Sequence, residues 1–141
     1  MRKTLTLLIS VCIAVSAMAQ ISVEEMRKLV DSYRVHASYS FVLKDKVSCS
    51  GEITVQRPCF KACGNGLEVY CDGKSRWMVD REAKEVYIEA AESEDDYLRY
   101  LDDVSDLKIT NVSKSPQNSD LSMFLFDESV LDSSWVVTDL R

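Results

Sequence analysis

Few side chains in this sequence have the types and spacing that catalysis needs. His36 is the single histidine, so a nucleophilic mechanism that uses an imidazole base depends on that one residue. A lone histidine between a predicted helix and a predicted strand is more typical of a solvated polar residue. The four glycines do not form a phosphate-binding loop motif. The sequence therefore predicts a protein that is not an enzyme.

Metal chemistry has no better support in the spacing of the potential ligands. Cys49, Cys59, Cys63 and Cys71 lack the C-x2-C knuckle of a structural zinc site, and no histidine lies among them. The acidic run at 92–96 lacks the D-x-[DN]-x-[DN]-G pattern of a calcium loop. We therefore expect neither a metal nor a cofactor.

The N-terminal residues have the pattern of an export signal. Arg2 and Lys3 precede an apolar stretch at 5–15, and Ala17-Met18-Ala19 matches an A-x-A cleavage site. The stretch is too short for a permanent membrane-spanning helix. We expect cleavage after Ala19 and a mature protein in the periplasm or a comparable extracellular space.

The mature chain, residues 20–141, has the length of one domain. Its formal net charge is −8, because cleavage removes the two positive charges of Arg2 and Lys3 from a full sequence whose net charge is −6. Nucleic-acid binding requires Lys and Arg to neutralise phosphates, and binding to anionic membranes has the same requirement. An acidic chain without a basic cluster is therefore not expected to bind nucleic acid or an anionic membrane surface.

Hydrophobic periodicity predicts two helices. Ser22 and Glu25 form a capping box at the start of a helix over 22–34, whose apolar residues recur at helical spacing. The second predicted helix spans 92–106, with its acidic residues at the favourable N-terminal end.

Between the two helices the period changes to two, which predicts an antiparallel six-stranded meander. Asn65-Gly66 and Asp72-Gly73 are typical of tight hairpin turns. A loop at 113–119 and two more strand-like runs, 121–126 and 135–138, complete the chain. The predicted strands of the meander are 37–44, 47–56, 59–63, 67–71, 75–80 and 85–89.

The loop lengths that place the large apolar residues on one face define a predicted register. A three-residue loop at 72–74 sets Val69 against Trp77, and a four-residue loop at 81–84 sets Val79 against Val86. One apolar face and one polar face result. Val42, Tyr70, Met78 and Tyr87 fall on the polar side as exceptions. The apolar face then carries Ala37, Tyr39, Phe41, Leu43, Ile53, Val55, Phe60, Ala62, Leu67, Val69, Trp77, Val79, Val86 and Ile88.

Two interpretations of this apolar face remain open. Six strands of roughly five residues give a face on the order of 450 Å², and the two predicted helices cover about 370 Å² of it. The face is thus either the core of the domain or the wall of a ligand groove.

Several segments of the chain resemble the LolA-like family of outer-membrane lipoprotein carriers, in the form found in Bacteroides-type bacteria. The most specific segment runs from Gly66 through the Asp72-Gly73 turn to Trp77. Tyr39-Ser40-Phe41, the strands at 50–56 and 84–89, and the C-terminal residues 122–141 are also similar to the family.

The resemblance implies an α+β fold in which an antiparallel meander forms an open half-barrel, with N-terminal and lid helices over its apolar side. It further implies a periplasmic carrier or chaperone that binds the acyl chains of lipoproteins, or another lipid, between a membrane-protein donor and acceptor. The lipid-binding residues would be Tyr39, Phe41, Leu43, Ile53, Val55, Phe60, Val69, Trp77, Val79, Val86 and Ile88.

The chain departs from the family in length, since strands expected around 110–121 are missing, and the family's lid-latching arginine has no counterpart. The alternative is therefore an exported protein-interaction module with a degenerate groove, which binds through a sheet edge or the acidic second helix.

The disulfide state of the cysteines also stays open. The register opposes no two cysteines, which favours free thiols, but a turn at 64–66 longer by one residue would set Cys59 across from Cys71.

Overall fold

The structure, a computed structural model, describes residues 20–101 and 104–141. The predicted export signal lies outside the described residues. One α-helix, α1, spans Val23–Val30. The strands are β1 Tyr33–Leu43, β2 Ser48–Gln56, β3 Cys59–Gly64, β4 Leu67–Cys71, β5 Ser75–Asp80, β6 Glu85–Ala90, β7 Val104–Pro116 and β8 Val136–Asp139. The 3₁₀ helices are η1 Asp96–Leu101, η2 Ser122–Phe124 and η3 Glu128–Val130.

All eight strands belong to one open sheet with the order β7-β1-β2-β3-β4-β5-β6-β8. The strands from β7 to β6 pair antiparallel, and β8 joins β6 in parallel. The sheet does not close into a barrel, because β7 and β8 form its two edges. The predicted six-stranded antiparallel meander is therefore confirmed for β1–β6, within a larger sheet.

Helix α1 is shorter than predicted. Ser22 caps it as expected, because its Oγ accepts the amide N–H of Glu25 at 3.1 Å. The helix ends at Val30, and β1 already begins at Tyr33. Pairing of Tyr33 with Pro116 on β7 extends the strand toward the helix, so this residue belongs to the sheet.

The predicted helix at 92–106 is confirmed only over residues 96–101, and there as a 3₁₀ helix. Residues 96–101 form η1, whereas β7 begins at Val104 and runs through most of the predicted 113–119 loop. Asp106 and Asn111 adopt positive φ angles of 53° and 51°, at two points where the pairing with β1 shifts register. Such bulges interrupt the two-residue period, which explains why this strand was not apparent from the sequence.

At three hairpins of the meander the observed strand register is the predicted one, so the paired side chains share a face as expected. Val55 lies opposite Phe60, Ala62 opposite Val69, and Val79 opposite Val86, as predicted. Tyr39 lies opposite Gly51, two residues from the predicted partner Ile53. A two-residue shift leaves every side chain on its predicted face.

At the β4–β5 hairpin the predicted register is wrong by one residue. Val69 lies opposite Met78, not Trp77. The Asp72 carboxylate accepts the amide N–H groups of Lys74 and Ser75, both at 2.8 Å, and Gly73 has a φ of 90°. This tight turn centres on Gly73-Lys74, whereas a three-residue loop was predicted.

The one-residue difference reverses the faces of β5 and β6. We call the face that carries Tyr39, Ile53 and Val69 the front face, and the opposite face the back face. Met78 and Tyr87 lie on the front face, where the prediction had placed them on the polar side. The side chains moved to the back face are Trp77, Val79, Val86 and Ile88.

Each face of the sheet has its own hydrophobic core. On the front face α1 and η1 pack over one half of the strands, through buried residues that include Met26, Val30 and Tyr97. On the back face the C-terminal segment covers β4–β6, and Phe126 is buried among their side chains. This segment contains η2, so the strand predicted at 121–126 is wrong.

We predict that the two faces of β6 differ sharply in their sensitivity to substitution. Ile88→Ala should lower the free energy of unfolding by about 2–5 kcal/mol, because Ile88 is 1% exposed in the back core. Tyr87→Ala, the neighbouring change on the front face, should cost less than about 1 kcal/mol, since Tyr87 is 39% exposed. Urea denaturation measures both values. Equal losses would contradict the observed register.

Candidate functional site

An apolar groove of about 380 Å³ lies between the front face and the helical segments. Strands β1–β5 and β7 form its base and walls, and α1 and η1 close one side. Its lining consists of Met26, Tyr39, Phe41, Leu43, Cys49, Ser50, Ile53, Phe60, Ala62, Cys63, Gly64, Asn65, Leu67, Val69, Met78, Tyr97, Leu98, Leu101, Leu107 and Ile109.

The groove exists because the helical segments are too short to cover the sheet. Helix α1 has 8 residues and η1 has 6, so each is only about 12 Å long. The six strands at the groove span on the order of 29 Å across the sheet. The half of the front face that carries Phe41 and Val69 is left only partly buried.

Small residues form the floor of the groove. Ala62 and Gly64 of β3 lie between β2 and β4, opposite the larger side chains of Val69 and Leu67 on β4. Gly51 and Gly64 face one another across β2 and β3. A Cβ on Gly51 would lie 2.0 Å from the Cys63 carbonyl oxygen and 2.7 Å from the Tyr39 hydroxyl, so the close approach requires glycine.

Six of the eleven predicted lipid-binding residues line this groove. They are Tyr39, Phe41, Leu43, Ile53, Phe60 and Val69.

The other five predicted residues are not part of the groove lining. Val55 lies on the front face but is fully buried in the core beneath the helical segments. The remaining four are on the back face because of the β4–β5 register, and they pack under the C-terminal segment. The expectation that these four side chains share a face with Tyr39 and Val69 was therefore wrong. Those four residues are Trp77, Val79, Val86 and Ile88.

Several lining residues were missed by the sequence analysis. Met78 was recognised as an apolar residue among polar ones, and this was the signal that the register had slipped. Leu107 and Ile109 belong to β7, whose bulges concealed the strand. Leu98 and Leu101 lie on η1, within the segment where a helix was predicted.

No charged side chain lines the groove in the described part of the chain. Burial raises the pKa of Tyr39, with smaller contributions from Cys63 and Cys49, so its hydroxyl stays neutral at physiological pH. Burial, followed by the nearby Asp95, raises the pKa of Tyr97 to about 12. The groove thus offers a neutral, predominantly apolar surface.

A buried ion pair attaches η1 to the sheet beside the groove. Arg76 of β5 is 0% exposed, and its guanidinium donates to the carboxylate of Asp96, at the start of η1, with an N–O distance of 2.6 Å. The same guanidinium also pairs with Glu89 of β6. Asp96 in turn accepts the amide N–H groups of Glu92 and Ser93 at 2.9 and 3.0 Å. The sequence analysis identified no arginine with this role.

A second arginine links η1 to α1. The Arg57 guanidinium lies 3.0 Å from Asp31 at the end of α1, 3.3 Å from Glu94 and 3.0 Å from Asp95. The acidic run that precedes η1 is therefore attached through Arg57 to the end of α1.

The remaining candidates for chemistry are dispersed. His36 lies on the back face, where its Nδ1 is 2.9 Å from the Thr54 hydroxyl. Cys49, Cys59, Cys63 and Cys71 are free thiols. Within residues 20–101 and 104–141, no three histidine, cysteine, aspartate or glutamate side chains are grouped as they would be to hold a metal ion.

None of the helices in the described ranges has the length and apolar character needed to cross a bilayer. Comparison with protein-family models found no match, and comparison with curated proteins found none. The resemblance to the lipoprotein carriers therefore stays a prediction.

We predict that Arg76→Met strongly destabilises the protein. Removal of the guanidinium leaves the Asp96 carboxylate buried without its partner, at a cost of about 3–5 kcal/mol. Arg27→Met removes an ion pair whose two side chains are largely exposed, so this control should cost at most about 1 kcal/mol. Thermal and urea denaturation compare the two. An Arg76→Met protein as stable as the control would contradict this role.

Proposed function

We propose that this protein binds an acyl chain, or a comparable elongated apolar ligand, in the groove on its front face. The observation that carries the proposal is a neutral cleft in which part of the apolar lining, including Phe41, Leu43 and Val69, is left only partly buried. Burial of acyl chain contributes about 0.8 kcal/mol per CH₂ group, so a groove of this kind binds by area and needs few polar contacts.

The size and position of the groove support this proposal. Its volume of about 380 Å³ falls in the range of small-molecule sites, which is roughly 300–1,000 Å³. Phe41 and Val69 line it without being fully buried, and Leu67 is 43% exposed at its rim.

The specific activity that we propose is that of a periplasmic carrier for the acyl chains of lipoproteins or another lipid. Three features support it: the predicted export signal, the open and mostly antiparallel sheet with a helical cover on one face, and the local resemblance to the LolA-like carriers. The half-barrel form and a membrane-protein donor and acceptor are part of the same proposal.

We predict that filling or charging the groove abolishes binding of a fluorescent fatty-acid probe such as cis-parinaric acid. Ala62→Trp places a large ring on the groove floor, and Val69→Glu places a carboxylate in its apolar wall. Ser40→Glu introduces the same charge on the back face of β1 and should leave binding unchanged. Fluorescence titration measures the three affinities.

Circular dichroism of each variant separates loss of the groove from loss of the fold. Folded Ala62→Trp and Val69→Glu proteins that bind the probe as tightly as the unaltered protein would refute the proposed function.

One observation favours a protein-interaction module as a second function. Strand β8 is an edge, and the side chain of Val136 is 62% exposed. The amides of Val136 and Leu140 donate to the carbonyls of Lys84, directly before β6, and of Ile88 in β6, so the amides of Val137 and Asp139 point away from the sheet. An extended segment of a partner could add to this edge.

We predict that Val137→Pro would abolish such a partner interaction while leaving lipid binding intact. The substitution removes an outward amide and none of the bonds to β6. Cross-linking in the periplasm, where we propose that the protein acts, tests this prediction by comparing the partners of the unaltered protein with those of the variant. A cross-linked partner retained by the variant would exclude strand addition at β8.

A further inference from the structure

A second cavity continues the groove toward the β8 edge. It has a volume of about 330 Å³ and shares two of its lining residues, Leu67 and Met78, with the groove. From these residues the front face extends across Tyr87 of β6 to Val136 and Thr138 of β8. The apolar path therefore runs across the strands from β7 to β8, and it ends in the second cavity.

Two carboxylates flank the far end of this path. Asp80 and Glu85 both line the second cavity, and they lie directly opposite one another on β5 and β6. Like charges at directly opposed positions on one face of a sheet repel one another and are destabilising. The far end of the apolar path therefore carries two negative charges.

No cation of the described chain neutralises these carboxylates. Neither residue forms an ion pair within the ranges 20–101 and 104–141. Asp80 accepts the amide N–H of Ala83 at 2.9 Å, and Lys84, the sequence neighbour of Glu85, donates instead to the Ser134 hydroxyl at 3.0 Å. A positive charge supplied from outside would relieve the repulsion.

We propose that the groove prefers a long-chain amphiphile whose polar end carries a positively charged amino group. This inference rests on the proposed function and specifies its ligand class. The apolar chain lies against the front face between β1 and β5, and the ammonium group lies between Asp80 and Glu85 in the second cavity. A free fatty acid places a carboxylate at the same point and therefore binds less tightly than the amine.

Three single-chain probes of equal chain length test this preference. Dodecylamine, monododecanoylglycerol and dodecanoate are titrated by calorimetry below their micellar concentrations, at low ionic strength and neutral pH. We expect the amine to bind roughly fivefold to tenfold more tightly than the carboxylate, in line with one or two exposed ion pairs, and the glyceride to fall between them. The difference should shrink at high salt, because these charges are partly exposed.

The double variant Asp80→Asn/Glu85→Gln identifies the source of the preference. It should bind the three probes with nearly equal affinity. The matched control Glu24→Gln/Glu52→Gln removes two exposed carboxylates elsewhere and changes the net charge equally, so it should keep the ranking. Loss of the ranking in the control as well would assign the preference to the overall acidity of the protein and overturn the proposal.

The outcomes separate this inference from the function beneath it. Equal binding of all three probes by the unaltered protein, or tighter binding of dodecanoate, overturns the amine preference and leaves the acyl-binding groove intact. Failure of every probe to bind overturns the proposed function itself.

Discussion

The organisation of the molecule depends on one tight turn. The Asp72 carboxylate accepts two amide N–H groups and holds the β4–β5 hairpin at Gly73-Lys74. Because side chains alternate along a strand, a turn longer or shorter by one residue would reverse both β5 and β6. The observed turn places Trp77 in the back core and Met78 at the groove. It thereby decides which apolar residues stabilise the fold and which remain available to a ligand.

Stability and binding are divided between regions of the sheet. The C-terminal segment covers the back face of β4–β6, and α1 with η1 covers one half of the front face. Arg76 and Arg57 attach η1 to β5 and to α1 through carboxylates, which keeps the cover at that half. The uncovered half of the front face contributes less to the core, and its incomplete burial is what makes a groove possible.

The sequence was sufficient to predict the meander, the N-cap at Ser22 and six of the groove residues, because clear alternation and standard turn and capping signals specify them. It was insufficient where two turns differ by a single residue, as at Asp72, since both turns are compatible with Asp-Gly. Strand β7 was missed because bulges at Asp106 and Asn111 disrupt its alternation. The Arg76–Asp96 pair joins residues 20 positions apart, and no local pattern reveals such a contact.

Native mass spectrometry of the protein, freshly purified from the cells that produce it, tests the central claim most directly. The proposed function predicts a population whose mass exceeds that of the chain by one lipid-like molecule, which is released by organic extraction and rebinds to the emptied protein. A protein recovered only in the unbound form, with Phe41 and Val69 shielded from solvent by its own side chains in a crystal structure, would contradict the account.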